Sequence, residues 1–226
     1  MTIYVNPTQF APGEDLDVYP RDPEGDHAKL QAEGVEAVFE PTTLYDTQPP
    51  HETFITVTEM QARERCGAGP ARPLTRGAQR GLCGASRPTH FRGVATVVAK
   101  LFNLVQPDVA VFGRKDYQQF KLLCRMVRDL DIGVRMIGAP LVREADGLAL
   151  SSRNVRLKPE ERTRALAISA ALRAAAAAAA AGRRDAAALR SDVVGAITAA
   201  GGDVDYVEAR HTSHAANASL AAARSC

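Results

Sequence analysis

Two short segments carry side chains suited to phosphate and carboxylate chemistry. The first, GRKDYQQF, runs from Gly113 to Phe120. Within it Lys115 is a mobile positive charge suited to phosphate, and Asp116 can orient that lysine or touch a hydrated Mg²⁺. Gln118 or Gln119 can both donate and accept hydrogen bonds towards a hydroxy acid. These residue types favour a site for ATP together with a polar organic acid.

The second segment, Leu150-Ser151-Ser152-Arg153-Asn154, follows the turn signal Asp146-Gly147. It places two hydroxyls and a guanidinium in a row, which can clamp a triphosphate. Each segment also has a purely structural interpretation: a solvated Lys-Asp pair capping a helix, and a Ser-rich turn before a helix that starts at Pro159. Together, however, the two segments indicate a site where negative charge is stabilised.

The elements around the first segment alternate between helix and strand. The spacing of apolar residues from Val94 to Val105 predicts an amphipathic helix, with Thr96, Lys100 and Asn103 on the other face. The continuous apolar run from Val109 to Phe112 is typical of a parallel strand buried on both faces. A helix from Tyr117 to Leu130 and a strand from Val134 to Ile137 follow. The alternation predicts an α/β fold, with GRKDYQQF at the carboxyl end of a strand, where ligands bind.

Further strands and helices are expected on either side of this unit. The amino-terminal part predicts a strand at Ile3–Val5, a short helix at His27–Gly34 and a strand at Val35–Phe39. The carboxyl-terminal part changes character at Lys158 and predicts two helices, one short strand and a last apolar stub. Their expected ranges are Arg164–Ala181, Asp185–Ala200, Val204–Glu208 and Leu220–Ala223.

These elements predict two domains, residues 1–154 and residues 155–226. The second is a smaller α+β domain that acts as a lid. The segment from about 62 to 84 is rich in Gly, Pro, Ala and Arg, a composition that predicts an irregular insert in the first domain.

Composition narrows the class of protein. The 226 residues are 46% hydrophobic and 24% charged, with no apolar run near the ~20 residues of a spanning helix, so no membrane role is expected. The start lacks a signal-peptide pattern, which favours the cytoplasm. Four cysteines without a CxxC pair argue against zinc and disulfides. A net charge of +2, and arginines without interleaved aromatics, argue against nucleic acid.

Six motifs in order resemble the successive signatures of the pantothenate synthetase family. They are VNPTQF (5–10), DLDVYPR (15–21), RPTHFRGV (87–94), LFNLVQPD (101–108), FGRKDYQQF (112–120) and VREADGLALSSRN (142–154). The resemblance implies a Rossmann-like parallel sheet of the nucleotidylyl-transferase type with the smaller α+β domain. It also implies condensation of pantoate with beta-alanine at the expense of ATP, through a pantoyl-adenylate and with Mg²⁺, by a homodimer.

The same resemblance implies roles for individual residues. Gln9 and Gln119 would bind pantoate. The ATP site would comprise Gly113, Arg114, Lys115, Asp116, Val142, Leu150, Ser151, Ser152 and Arg153. Among these, Lys115, Ser151 and Arg153 would carry the catalysis.

The sequence departs from the family pattern at its ends. The two histidines of the family's His-x-Gly-His loop have no counterpart among His27, His51, His90, His211 and His214. A chain shortened at both ends is therefore expected. Two rival hypotheses follow: a catalytically impaired remnant that only binds ligand, and an enzyme that adenylates a different carboxylic acid. Gln9 together with Gln119 argues against the latter.

Overall fold

The computed structural model describes residues 1–46, 48–58, 82–210 and 219–222. Most of the predicted insert lies outside the described residues. Its last residues belong to a short helix, α2 (Cys83–Ser86), which follows the helix α1 (Pro23–Ala32) in the chain.

A parallel strand pair positions the GRKDYQQF segment. Strand β1 (Val109–Gly113) pairs in parallel with β2 (Arg135–Ala139), and α4 (Tyr117–Asp129) connects them. Leu122, Leu123 and Met126 of α4 are fully buried. This βαβ unit confirms the predicted α/β class and the predicted helix.

The expectation that β1 is buried on both faces is wrong. Val111 is 62% exposed, and Ile137, its partner in the register, is 38% exposed. Ala110, Phe112 and Met136 point the other way and pack on the core. Alternate residues of a strand face opposite sides, so a continuous apolar run cannot reveal which side is covered.

Helix α3 (His90–Val105) supplies much of the first hydrophobic core. Val94, Val97 and Val98 are buried there, as the helical spacing predicted, and so is Phe91. Leu104 and Val105, expected on the same face, are 60% and 49% exposed. Thr96 does not lie on a solvated face as expected; it is 3% exposed. Its Oγ1 donates to the Arg92 carbonyl at 2.8 Å and accepts from the Ile55 backbone N–H at 2.9 Å. These two bonds allow the hydroxyl to be buried without loss.

The amino-terminal strands are shorter than predicted. Thr2 and Phe39 form one isolated parallel bridge, in which the Ile3 N–H donates to the Phe39 carbonyl at 3.1 Å. Proline lacks an N–H donor, so Pro7 and Pro41 limit both extended segments. Helix α1 begins earlier than predicted because Asp22 caps it, accepting a hydrogen bond from the Gly25 N–H at 3.0 Å.

A second core forms between α5 (Pro159–Ala180) and α6 (Ala186–Ala199). Its buried residues are Ala171, Ala175, Leu189, Val193, Ile197 and Val207. Both helices match the prediction closely, and α5 begins at Pro159, the predicted helix start. The strands β3 (Val207–Arg210) and β4 (Ser219–Ala222) are antiparallel and shifted by a few residues from the expected ranges. Among the described helices, none has the length and hydrophobicity to span a membrane.

Candidate functional site

The turn that carries Gln9 packs directly on α3. Pro7–Gln9 forms a single 3-10 turn, and Gly93 of α3 faces it. A Cβ on Gly93 would lie 2.3 Å from the carbonyl oxygen of Thr8, which is too close for any other residue. The absence of a side chain at Gly93 therefore allows this turn to approach the helix.

Two side chains from the RPTHF segment hold the backbone of Gln9. The Gln9 carbonyl oxygen accepts from Nη2 of Arg87 at 3.3 Å, and Nδ1 of His90 lies 2.9 Å from the same oxygen. Arg87 also donates through Nε to Glu14 at 2.6 Å. The side chains of Arg87 and Glu14 are only 12% and 17% exposed, so this ion pair is largely shielded from water.

A buried amide holds the side chain of Gln9. Asn6 is 2% exposed, and its Nδ2 lies 3.2 Å from both the Gln9 Oε1 and the Gly93 carbonyl oxygen. Its Oδ1 accepts from the hydroxyls of Thr8 and Tyr45, both at 3.0 Å. All four hydrogen-bonding positions of the Asn6 amide are therefore used.

The Lys115–Asp116 pair lies just beyond the end of β1. Residues Arg114–Asp116 form a 3-10 turn, in which the Lys115 Nζ is 3.4 Å from the Asp116 Oδ1. The two side chains are 40% and 60% exposed. Asp116 occupies the N-cap position of α4, but its side chain accepts no capping hydrogen bond. The pair is thus solvated, and the helix-capping interpretation is not supported.

Of the two glutamines in the segment, Gln118 is occupied structurally. Its Oε1 accepts from the Cys83 N–H at 3.2 Å, which ties α4 to α2. Gln119 is half-buried and forms no hydrogen bond with another residue in the described part of the chain. Both ends of the Gln119 amide are therefore available to a ligand.

Val142 and Leu150 lie opposite one another in a small hairpin. The Leu150 N–H donates to the Val142 carbonyl at 3.0 Å, and Gly147 at the turn has a φ of 93°. Both side chains are largely solvent-facing, 60% and 55% exposed. Exposed apolar side chains beside a polar loop can line a nucleotide site.

The hairpin is tied to the residues that follow it. Asn154 donates through Nδ2 to Glu144 at 2.5 Å and to the Ala149 carbonyl at 2.9 Å. Arg162 of α5 pairs with Glu144, and its Nε donates to Asp146 at 2.7 Å. The hydrogen bond from Asn154, followed by that from Arg162, lowers the pKa of the Glu144 carboxyl.

The serine segment is a short turn ahead of α5, as one interpretation of the sequence held. Ser151 precedes the 3-10 turn Ser152–Arg156, and its Oγ accepts from the Arg153 N–H at 3.3 Å. Ser152 donates to the hydroxyl of Tyr19 at 3.2 Å. Among the described residues none accepts the hydroxyl proton of Ser151, which is therefore available for donation.

Arg153 is held by Asp15 from the DLDVYPR segment. Its Nε and Nη2 donate to the two carboxylate oxygens at 2.7 and 3.0 Å, and its guanidinium lies 4.7 Å from the Tyr19 ring centroid. Arg156 adds a second cation, with Nη1 2.8 Å from Asp15. The hydrogen bond from Arg153 is the main cause that lowers the pKa of Asp15 from its ordinary 3.8 to about 2; burial opposes it and Arg156 assists.

The structure links some of the predicted site residues and leaves others apart. The rings of Phe10 and Tyr19 meet edge to face at 6.1 Å, which joins the Gln9 turn to the loop of Arg153. Within the described ranges, no hydrogen bond or ion pair joins Lys115 to Ser151, Ser152 or Arg153. The two segments are thus connected through the fold rather than by direct bonds.

Several residues of this region were not predicted individually. They are Asn6, Glu14, Asp15, Tyr19, Tyr45, Arg87, His90 and Arg156. Five of them lie inside the quoted motifs, whereas Glu14, Tyr45 and Arg156 lie outside them; their long-range partners are 37 to 141 positions distant in sequence. In the described part of the chain, no group of three or more His, Cys, Asp or Glu side chains could hold a metal ion.

The βαβ unit with polar groups beyond the end of β1 is of the α/β type in which nucleotides commonly bind at this edge. Comparison with known proteins identifies the family. The family model described as pantoate-beta-alanine ligase matches residues 1–225. A pantothenate synthetase of Anaeromyxobacter dehalogenans is 54% identical over 93% of this chain and 67% of its own length. A pantoate–beta-alanine ligase of rice, Oryza sativa subsp. japonica, is 50% identical over 92% of this chain and 67% of its own length.

Solved structures agree. A pantothenate synthetase from Thermus thermophilus superposes with a TM-score of 0.80 at 43% identity, covering 93% of this chain and 70% of that one. A pantoate-beta-alanine ligase from Francisella tularensis, complexed with beta-gamma ATP and beta-alanine, has a TM-score of 0.70 at 30% identity, over 92% and 69% of the two chains. The chain belongs to the pantoate-beta-alanine ligase family, which confirms the family, fold and ligase class expected from the sequence.

Proposed function

We propose that this chain condenses pantoate with beta-alanine, using ATP and releasing AMP and pyrophosphate. The names of its relatives and the ligands of the Francisella protein support this proposal. The structural observation that carries it is the position of Lys115, exposed and only weakly paired, one turn beyond the carboxyl end of a parallel strand. Nucleotides bind at this position in α/β sheets.

The proposed reaction has two steps. A carboxylate oxygen of pantoate attacks the α-phosphorus of ATP, forming pantoyl-adenylate while the bond to pyrophosphate breaks. The neutral amine of beta-alanine then attacks the acyl carbon, forming the amide, while AMP leaves and the amine loses a proton. The first step needs no general base, because the carboxylate is already ionised at neutral pH.

The chain's contribution to the first step is electrostatic. Negative charge grows on the phosphate oxygens, and Lys115, Ser151 and Arg153 can place a cation or a hydroxyl donor near them. Gly113, Arg114, Asp116, Val142, Leu150 and Ser152 complete the proposed ATP site. Gln9 and Gln119, whose amides have unengaged groups in the described structure, would bind pantoate.

Arg153 can serve ATP while it remains paired with Asp15. Its Nε and Nη2 are used by Asp15, whereas Nη1 has no hydrogen-bond partner in the described part of the chain. A phosphate oxygen would therefore approach Nη1. Asp15 and Tyr19 would hold the guanidinium in place during this approach, which reduces the entropy lost on binding.

Mg²⁺ fits this region as a companion of the nucleotide. It usually keeps several waters and takes one or two protein carboxylates together with substrate phosphates. Asp116, 60% exposed and next to Lys115, can provide one such carboxylate. When bound, Mg²⁺ would neutralise part of the phosphate charge.

The test is an assay of each partial reaction. Purified protein with MgATP and pantoate, without beta-alanine, should exchange labelled pyrophosphate into ATP. With pantoate labelled by ¹⁸O in its carboxylate, addition of beta-alanine should give AMP that carries one ¹⁸O atom. Release of ADP and phosphate would contradict the adenylate route, and ligand binding without either product would favour the binding-only hypothesis.

We further propose a homodimer that works in the cytoplasm, as the family resemblance implies. Light scattering coupled to size-exclusion chromatography at micromolar concentration should give twice the chain mass of 24.1 kDa. A mass of one chain would contradict the dimer.

A further inference from the structure

The orientation of the Asn6 amide follows from its surroundings. The Gly93 carbonyl oxygen, 3.2 Å away, can only accept a hydrogen bond. The Asn6 atom that faces it must therefore be the donor, Nδ2. The other branch, Oδ1, then lies 3.0 Å from the hydroxyl groups of Thr8 and Tyr45, which donate to it.

This orientation fixes the Gln9 amide in turn. The second N–H of Asn6 Nδ2 points at the Gln9 side chain, 3.2 Å away. An N–H group needs an acceptor, so the Gln9 atom in that position is Oε1. Its Nε2 is directed away from Asn6 and has no hydrogen-bond partner among the described residues. The end of Gln9 left for a ligand is consequently a donor.

Tyr45 joins the hydrogen-bond network of Asn6 and Gln9 through the tertiary structure. It lies 39 positions from Asn6, and its ring meets His51 edge to face with a centroid separation of 5.0 Å. Burial raises the pKa of its phenol, so the hydroxyl keeps its proton at neutral pH. The hydroxyl oxygens of Thr8 and Tyr45 also lie 3.1 Å from each other. Two hydroxyl protons are therefore available for three contacts, this one and the two to Asn6 Oδ1.

We propose that Tyr45 is a positioning residue, which through Asn6 makes Gln9 present N–H donors to the acid substrate. The proposal rests on the proposed function, in which Gln9 contacts pantoate. The group recognised at this point is then an acceptor, namely a carboxylate or hydroxyl oxygen of the acid. An acid with an N–H donor in that position would be rejected, because two donors would face each other.

The first test compares two tyrosine hydroxyl deletions. Tyr45→Phe leaves one Asn6 Oδ1 position unsatisfied, so the Asn6 amide, still oriented by the Gly93 carbonyl, is held less firmly and positions the Gln9 amide less well. We expect the KM for pantoate to rise about tenfold, with kcat and the KM for MgATP changed less than twofold, since an unsatisfied buried acceptor is costly. Tyr4→Phe is the matched control, because in the described part of the chain the Tyr4 hydroxyl accepts one hydrogen bond, from the Leu44 N–H at 3.4 Å, and forms none with Asn6.

The second test observes the amides themselves by NMR. In the unaltered chain, the Asn6 side-chain N–H protons should exchange slowly with water, and the Gln9 side-chain signals should shift when pantoate is added. Tyr45→Phe should accelerate the Asn6 exchange at least tenfold, whereas Tyr4→Phe should not.

Different outcomes would contradict the positioning role of Tyr45 and the proposed ligase function. Equal behaviour of Tyr45→Phe and Tyr4→Phe in both measurements would overturn the positioning role. If the Gln9 signals do not shift at saturating pantoate although the protein forms pantoate-dependent AMP, only the contact between Gln9 and pantoate is contradicted. Absence of that AMP would overturn the ligase activity, and the Asn6 exchange rates would still decide whether Tyr45 fixes the amide.

Discussion

The two cations assigned to ATP differ in how firmly they are held. In the ranges that the structure describes, Lys115 has one exposed carboxylate neighbour, at 3.4 Å, and such a pair contributes no more than about 1 kcal/mol. Arg153 forms a bidentate pair with Asp15 and lies on the Tyr19 ring. The Lys115 side chain can therefore move with the phosphates as charge develops, whereas the Arg153 guanidinium is held in one position.

Replacing Lys115 tests its proposed role in the chemistry. Lys115→Ala should lower pantoate-dependent pyrophosphate exchange by about 10²–10³-fold, the usual loss when one charge-stabilising donor is removed. Lys29→Ala is the control, since Lys29 is an exposed lysine of α1 whose ion-pair partners among the described residues are Asp22 and Asp26. Exchange at an unchanged rate in Lys115→Ala would remove this lysine from the mechanism.

The Asp15–Arg153–Arg156 cluster predicts a pH dependence of stability. The pKa of Asp15 in the folded chain, about 2, is below its ordinary 3.8. Its ionised form therefore stabilises the fold above about pH 4, and this contribution disappears as the pH falls from about 4 towards 2.

The corresponding measurement is the free energy of unfolding across pH 2 to 7. Asp15→Asn should lower it by about 1 kcal/mol at pH 7, and the difference from the unaltered chain should vanish near pH 2. Asp17→Asn, at an exposed position in the same loop, should show no such pH-dependent difference. A pH-independent difference for Asp15→Asn would mean that the charge is not responsible.

At the scale of elements, α3 connects the core to the proposed pantoate site. Its apolar face buries Phe91, Val94 and Val98, while Gly93 receives the turn of Gln9. His90, at the start of the helix, contacts the Gln9 backbone. Any change that moves this turn away from α3 should therefore affect binding and stability together.

A pair of glycine substitutions tests that connection. Gly93→Ala should cost about 3 kcal/mol of unfolding free energy and weaken pantoate binding, because its Cβ would collide with the backbone of Thr8. Gly195→Ala, in α6 with open space around it, should instead stabilise the chain by about 0.5–1 kcal/mol. Chemical denaturation of both variants provides the comparison. Equal effects would show that the close approach at Gly93 is unimportant.

At the scale of the whole molecule, the buried residues form two separate clusters. One surrounds α3 and α4, and the other lies between α5 and α6. Contacts between the regions include Arg162 with Glu144 and Asp146, and a 2.7 Å hydrogen bond from Ser86 to Asp205. We propose that residues 1–154 and 155–226 are two domains, as the sequence predicted.

Cavity-forming substitutions test the two-domain proposal. Leu122→Ala, in the first cluster, should cost about 2–5 kcal/mol, and Val193→Ala, in the second, should cost about 1–3 kcal/mol. Each variant should accelerate amide hydrogen exchange mainly in its own cluster. Acceleration of both clusters by either substitution would indicate one cooperative domain.

The sequence by itself determined the family and most of the helices. The apolar spacing of α3 and α4, Pro159 at the start of α5 and Asp185 before α6 are local signals, because helix periodicity and capping act over three to four residues. The motifs likewise placed GRKDYQQF at the end of a strand. The family was recognisable because six short motifs occur in the family's order.

Only the tertiary structure decided which side chains meet. Asp15 and Arg153 are 138 positions apart, and neither residue alone predicts that it will be the other's partner. Thr96 is buried because the Ile55 backbone reaches it, and Val111 is exposed because its side of the strand pair is not covered. Such outcomes depend on contacts between distant segments, whereas sequence patterns report only local periodicity.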